Sequence, residues 1–292
     1  MIIVRLMGGL GNQMFQYALG SALSLKNNSV LKLDLAFLLD RTAKKNFMFR
    51  DFDLPIFNIR ANIASPEEVK TYYNFYNRAR KKLLPNELGN PYIKEKVNYF
   101  DPAILTAGGN CYLHGHWGSE KYFKEYEAKI RQDFTFKAPL TPLGRQLADE
   151  IQNTTAVCLN VRRGDYVTNP EVGKILSLTG IDYFRKAIDL MRSKVHNPHF
   201  FVFSDDQQWV NENIRIDLPM TIVDDRYNGE KYGEKLHLMS LCKHFIIPNS
   251  SFAWWGAWLS SNRGKIVVTP EKWFVSSDYD SKDIRPEGWL AI

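Results

Sequence analysis

Hydrophobic and polar positions alternate in blocks from the first residues. An apolar run over residues 2–6 breaks at Gly8 and Gly9, apolar positions at helical spacing follow over residues 14–26, and a second apolar run covers residues 30–35. That succession predicts a strand, a glycine turn with Gly8, Gly9 and Gly11, a helix and a second strand, the opening of a βαβ unit. From residue 47 to 137 the rhythm becomes irregular and aromatic, with Tyr72, Tyr73, Phe75 and Tyr76 clustered and prolines at 85, 91 and 102. Helices are placed there only at residues 66–84 and 121–134. Two prolines within residues 137–142 mark the linker, and residues 143–152 read as the helix leading into a second domain.

Beyond that linker the rhythm is regular. Apolar strands are predicted at residues 156–161, 199–204, 220–223, 244–248 and 265–269, each separated from the next by a helix-compatible stretch, which implies a parallel sheet covered on both faces. Ligands of such sheets sit at the carboxyl ends of the strands. The residues at those ends are polar: Arg162, Arg163 and Asp165; Asp205 and Asp206; Asp224, Asp225 and Arg226; Asn249, Ser250 and Ser251.

Composition narrows the reading. With 292 residues, 45% of them hydrophobic, the chain can bury a sizeable core and suits two domains. The 38 Lys and Arg exceed the 32 Asp and Glu by six, spread along the chain, which favours an anionic partner such as a nucleotide sugar or a membrane surface. A pI near 9.0 also fits nucleic acid, but no basic helix or zinc spacing accompanies it, and clusters such as Arg78, Arg80, Lys81 and Lys82 are short, so no nucleic-acid partner is expected. Cys111, Cys158 and Cys242 are odd in number and widely spaced, as in a reducing compartment. Neither a signal peptide nor a bilayer-spanning run is read from the sequence, so the expected location is cytoplasmic, with any membrane association peripheral, at the inner face.

Each motif carries a functional and a structural reading. Gly9-Leu-Gly11 followed by Asp34 suggests a dinucleotide fingerprint, but Met14 stands at the third glycine position, leaving either a tight structural turn or a ligand loop in which Asn12 and Gln13 flank a helix start. Arg162 and Arg163, followed by Gly164 and Asp165, suit a pyrophosphate, because guanidinium forks pair with phosphate oxygens and stay charged; the alternative is a structural pair bridged by Asp165. Asp205 and Asp206 can accept from a base or a ribose, and Asp206 can instead cap the helix beginning near Gln207. The run from Asn249 to Trp258 begins a helix with hydroxyls at its positive end, where phosphate binds well, while Trp254, Trp255 and Trp258 read as packing. His114 and His116 share a strand face but lack a third ligand, so no metal site is read there.

Five ordered motifs resemble the α-1,2-fucosyltransferases of glycosyltransferase family 11: residues 8–17 (GGLGNQMFQY), 118–123 (GSEKYF), 161–166 (VRRGDY), 203–206 (FSDD) and 238–258, LMSLCKH running into PNSSFAWWGAW. The resemblance covers nearly the whole chain. It implies an α/β, GT-B-like fold of two Rossmann-like domains with parallel sheets facing a cleft, residues 1–137 mainly on the acceptor side and residues 143–292 binding GDP-fucose. It also implies transfer of L-fucose from GDP-β-L-fucose to the 2-hydroxyl of a terminal β-galactoside, with inversion and with no obligatory metal or cofactor. By motif, Arg162 and Arg163 would hold the diphosphate, Asp205 or Asp206 would read guanine, and Ser250 and Ser251 would contact phosphate. The loop of Gly9, Gly11, Asn12 and Gln13 would reach toward fucose, with Asn160, Ser204 and Asn249 completing the donor site. Asp165 and Glu171 are the candidate bases. Two departures stand out: Asn160 occupies a position where the family usually has His, and the segment around His114 and His116 differs from the usual Gly-Tyr-Phe-Gln before Ser-Glu-Lys, so an unusual acceptor preference is expected. A protein O-fucosyltransferase and a non-catalytic nucleotide- or glycan-binding module remain as alternatives.

Overall fold

The computed structural model describes residues 1–42, 49–73, 91–164, 167, 169, 178–275 and 280–292. The chain forms two compact units, the first Met1–Thr135 with Lys282–Ile284 and the second Phe136–Ser281 with Arg285–Ile292. The short return segment is tied into the first unit by Asp283, which accepts from Phe100 N at 3.0 Å and Lys121 Nζ at 2.5 Å.

The first unit runs β1 (Ile2–Arg5), α1 (Leu10–Lys26), β2 (Leu31–Asp34), α2 (Ala36–Leu39), β3 (Asn62–Ile63), α3 (Pro66–Tyr73), β4 (Tyr92–Lys94), β5 (Cys111–His114) and α4 (Glu127–Asp133). Its strands pair in parallel in the order β3-β2-β1-β5-β4. Helix α1 starts four residues earlier than the pattern predicts. Gly8 takes the left-handed turn (φ +76°), Gly9 is the extended N-cap, and Asn12 and Gln13 already donate to Gly9 O. Gly11 is therefore helical and buried, and thirteen of the helix's seventeen residues are buried, which makes α1 a core helix rather than an amphipathic surface one. Where the pattern predicts one helix over residues 121–134, two 3-10 turns (Glu120–Tyr122 and Lys124–Tyr126) precede α4, and α3 is described only to Tyr73, the rest of the predicted 66–84 helix lying outside the described residues.

The second unit runs α5 (Pro142–Asn153), β6 (Thr155–Val161), α6 (Ile181–Lys194), β7 (Pro198–Ser204), α7 (Gln207–Asn213), β8 (Met220–Val223), α8 (Gly233–Leu241), β9 (His244–Ile246), α9 (Ser251–Leu259), β10 (Val267–Thr269) and β11 (Leu290–Ala291). The strands are again all parallel, ordered β11-β10-β9-β6-β7-β8. Val157, Leu159, Phe200, Val202 and Ile246 fill one core with Phe184, Ile188 and Met191 of α6. All five predicted strands of this unit are present within a residue or two, and β11 is an addition: two residues at the sheet edge carry no periodicity for a sequence reading to detect.

Among the described residues no helix is long and apolar enough to cross a membrane. Cys111, Cys158 and Cys242 are buried and unbridged, and burial raises the thiol pKa of Cys111 and Cys158.

Gly20 on α1 faces β1 and β2 so closely that a Cβ would lie 2.4 Å from Val4 Cγ2 and 2.8 Å from Leu31 Cδ1. Gly20→Ala is expected to cost about 1–3 kcal/mol despite its better helix propensity. Urea unfolding measures it; an unchanged midpoint would contradict the close packing.

Candidate functional site

In a parallel sheet whose central strands send their crossovers in opposite directions, the carboxyl edge opens a crevice between those two strands. In the second unit they are β6 and β9, which are adjacent, with β7 and β8 on one side and β10 and β11 on the other. After β6 come Arg162, Arg163 and Gly164; beyond β9 come Asn249, Ser250 and the start of α9. The two motifs that sequence separates by some ninety residues thus flank one switch point.

The arginine turn is held by two carboxylates from the end of β7. Asp205 Oδ2 lies 2.7 Å from Arg162 Nη1 and accepts from Gly164 N at 3.0 Å, while Oδ1 accepts from Arg163 N at 2.8 Å. Asp206 Oδ1 accepts from Trp209 N at 3.0 Å, capping α7, and its Oδ2 receives Arg163 Nε at 3.3 Å. The Arg163 guanidinium lies 4.4 Å from the centre of the Trp209 ring. A Cβ at Gly164 would meet Asp205 Oδ2 at 2.6 Å, so this close wrapping needs glycine. Among the described residues the counter-ions of the arginine pair are Asp205 and Asp206; Asp165 and Glu171 lie outside the described residues.

Neighbouring polar residues serve the frame. Asn160 is buried and donates to Phe203 O at 3.3 Å, tying β6 to β7. Ser204 Oγ accepts from Asp206 N at 2.9 Å. Asn249, placed in the donor site by motif, is 1% exposed, accepts from Thr179 Oγ1 at 3.2 Å and donates to Trp273 O at 2.7 Å, so it anchors its loop. Ser250 caps α9 and Ser251 is the first residue of that helix. Trp254, Trp255 and Trp258 are all buried in mutual contact, as their packing reading requires.

Lys235 was missed by sequence reasoning, although a lysine beside Leu236, Leu238 and Met239 is the signal that could have found it. Its side chain is 7% exposed, its Nζ lying 3.4 Å from Ser204 O and 3.5 Å from Asp225 Oδ1, and burial lowers its pKa against the pull of Asp225. Asp224 grips Arg226 through three side-chain hydrogen bonds, accepting from Nε on both carboxylate oxygens at 3.0 Å and from Nη2 on Oδ2 at 2.8 Å, and this pairing lowers the Asp224 pKa.

In the first unit β1 lies at the middle of the sheet, between β2 and β5. The glycine loop after β1 is narrower than its motif suggests. Gln13 is fully buried, with its amide donating to Gly8 O and Asp51 O and accepting from Asp53 N, so it braces the loop rather than presenting to a ligand. Gly9 and Asn12 remain at the helix start. Asp34 accepts from Tyr112 Oη at 2.6 Å and from Ala36 N at 2.9 Å.

Strand β5 ends at His114, and His116 sits on a turn rather than on the strand face expected of it. Trp117 in that turn is buried at φ +59°, a left-handed conformation rare for a large side chain. The Glu95 carboxylate holds it there, accepting from His116 N at 2.6 Å and Trp117 N at 2.9 Å. Among the described residues no three His, Cys, Asp or Glu side chains are grouped to hold a metal ion.

A model of glycosyl transferase family 11 matches residues 1–292. An alpha-1,2-colitosyltransferase of Escherichia coli is 36% identical over 293 residues, covering 100% of this chain and 98% of that protein. The O-antigen biosynthesis glycosyltransferase WbnK of Escherichia coli is 32% identical over 98% of this chain and 99% of its own. The Homo sapiens galactoside alpha-(1,2)-fucosyltransferase 1 is 26% identical over 87% and 64%. Among solved structures, the α-1,6-fucosyltransferase NodZ soaked with GDP-fucose superposes with a TM-score of 0.51 at 14% identity, over 88% of this chain and 91% of that one. That likeness concerns the fold.

The His114 imidazole, half-buried beside Arg5 and Lys94, has its pKa pushed from 6.5 down to about 4, first by burial and then by those cations. On acidification the unfolded chain takes up this proton first, so the neutral ring's contribution to stability is complete above pH 6.5 and declines as pH falls through 4. NMR titration is expected to show a neutral ring at pH 5.5, and Arg5→Gln to raise the midpoint; a midpoint at the ordinary value in the parent chain would refute this environment.

Proposed function

The chain belongs to glycosyl transferase family 11, and on that premise we propose that it moves a 6-deoxy-L-hexose, L-fucose foremost, from its GDP-β-linked form to the 2-hydroxyl of a terminal β-galactoside. The observation that carries the reading is the Arg162-Arg163-Gly164 turn, fixed by Asp205 and Asp206 at the switch point of the second unit beside the N-terminus of α9. Preorganised guanidinium groups suit a diphosphate in both shape and charge. Asp205 and Asp206, occupied by arginine and backbone N–H groups, act here as orienting residues, which moves the recognition of guanine to other groups on the β7 and β8 ends. Lys235 of α8, whose Nζ reaches Ser204 O at the β7 end, is one candidate. The second unit takes the nucleotide in this reading, and the first takes the galactoside.

The reaction breaks the bond between sugar C1 and the diphosphate oxygen while the acceptor oxygen forms its bond to C1 from the opposite face. The acceptor's proton passes to a base or to solvent, and the diphosphate leaves with the electron pair. Because positive charge grows on the ring before the new bond is complete, neutralising the leaving group governs the barrier. Arg162 and Arg163 supply that charge in the place of a divalent ion. Asp165 and Glu171 remain the candidate bases.

A second donor has a specific observation behind it, the 36% identity over the whole chain to an alpha-1,2-colitosyltransferase. Colitose is the 3-deoxy counterpart of L-fucose, so the two donors differ by one hydroxyl. A site that hydrogen-bonds this hydroxyl discriminates strongly against its loss, whereas one that leaves it in water accepts both. The value of kcat/KM for GDP-fucose against GDP-colitose therefore decides the sugar.

The direct test is GDP release from GDP-fucose by EDTA-treated protein, with and without lactose or a β-1,3-linked galactoside, followed by linkage analysis. Acceptor-stimulated release with an α-1,2 product is expected. Release only on addition of metal, transfer only to folded peptide acceptors, or binding without release would each overturn the proposal. Arg162→Ala is expected to lower kcat about 10²- to 10³-fold; near-normal turnover would remove the diphosphate role.

A further inference from the structure

The last residues of four neighbouring strands in the first unit form one polar rung. Arg5 on β1 is in register with Asp34 on β2, Arg5 Nη1 lies 3.3 Å from His114 Nε2 on β5, and His114 is in register with Lys94, which ends β4. Residues in register on adjacent strands project from the same face, so Asp34, Arg5, His114 and Lys94 stand side by side across the carboxyl edge of β2, β1, β5 and β4. Deeper on the sheet the surroundings turn apolar and aromatic, with Ile3 and Tyr112 packed against Tyr72 of α3 and Tyr92 stacked on Tyr112 at 5.3 Å. Parallel sheets are normally apolar throughout, so a complete rung of polar side chains calls for a reason.

The charges on this rung do not cancel internally. Asp34 is buried and engaged by Tyr112 Oη and Ala36 N. Arg5, half-buried, lies 4.9 Å from the centre of the Phe37 ring. Its nitrogen neighbour is an imidazole, and because a guanidinium only donates, His114 Nε2 is the acceptor and its Nδ1–H is the donor to Tyr92 Oη at 2.5 Å. His114 is thus a neutral ring that fixes the guanidinium without neutralising it. Among the described residues neither Arg5 nor the exposed Lys94 takes part in an ion pair. A guanidinium partly withdrawn from water without a counter-ion is unfavourable until a ligand supplies one, and its planar fork matches a carboxylate or a phosphate.

We propose that this rung reads a negatively charged substituent, a carboxylate or phosphate, on the sugar adjoining the galactose of the acceptor, with Arg5 as the paired donor and Lys94 as the second charge. The inference rests on the galactoside-acceptor reading above and deepens it from a neutral to an acidic saccharide. His114 is a positioning residue, holding Arg5 in line through Nε2 while Tyr92 fixes its ring.

Isothermal titration of the full chain with two disaccharides tests this without requiring turnover: β-galactosyl-1,3-glucuronate and neutral lactose. The uronate is expected to bind about tenfold more tightly or better, the difference a charge-assisted pair provides. That ratio should fall to near unity in Arg5→Gln, partly in Lys94→Gln, whose exposed position carries no folding risk, and partly in His114→Ala, with recovery in His114→Gln, which can still accept from Arg5. GDP titration of each variant reports folding and separates an acceptor charge from the donor's diphosphate. Equal affinity of the parent chain for both sugars, no measurable binding of the uronate at millimolar concentration, a ratio that survives Arg5→Gln and Lys94→Gln, or a loss confined to GDP would each overturn the proposal. If the ratio holds but no fucose is transferred, the reaction fails and the rung stands; if lactose is fucosylated and the ratio is absent, the reverse is true.

Discussion

A parallel strand can be followed by another only if the chain crosses back over the sheet to begin again at the same edge. Every strand then finishes at the opposite edge, and whatever chemistry the sequence places after its strands accumulates there. Both units of this protein obey that constraint with wholly parallel sheets, and in the second the order reverses between β6 and β9. The reversal parts the crossovers and leaves room over the middle of the edge. Arg162, Arg163 and the Ser250 cap owe their convergence to it, whereas Arg5 and His114 meet because they end the paired strands β1 and β5.

Electrostatics at the two edges is arranged differently. In the second unit each arginine has a carboxylate, and those carboxylates also take the backbone N–H groups of Arg163, Gly164 and Trp209. Cation and turn are therefore fixed together, so the guanidinium groups meet a ligand without first being ordered, which preserves binding energy for the reaction. In the first unit the cation is steadied by a neutral ring and an aromatic face, which orient it and leave its charge unspent.

Backbone strain marks the same edges. Trp117 is held at a left-handed φ by Glu95, and Gly115 beside it could not carry a Cβ without meeting Glu95 Cβ at 2.4 Å. In the second unit Gly229, Lys231 and Tyr232 all take positive φ between β8 and α8, the helix that carries Lys235. Such conformations persist only where surrounding contacts over-determine them, and both lie in connections that follow a strand's carboxyl end.

Much was legible in the sequence alone. The alternation of apolar strands and helices over the second half determined a parallel sheet because a strand buried on both faces has to be apolar along its length. The motifs after those strands carried the family resemblance, which spans the chain as the family model does. Tertiary structure decided the rest. Pattern cannot say that Gln13 is a buried brace, because that depends on Asp51 and Asp53 arriving some forty residues later. Nor can it pair Arg162 with Asp205, or align Asp34, Arg5, His114 and Lys94 into one rung, since register between distant strands is fixed by packing of the whole sheet rather than by local spacing. The types of chemistry were written along the chain; which groups meet, and which charges are already satisfied, came only from the fold.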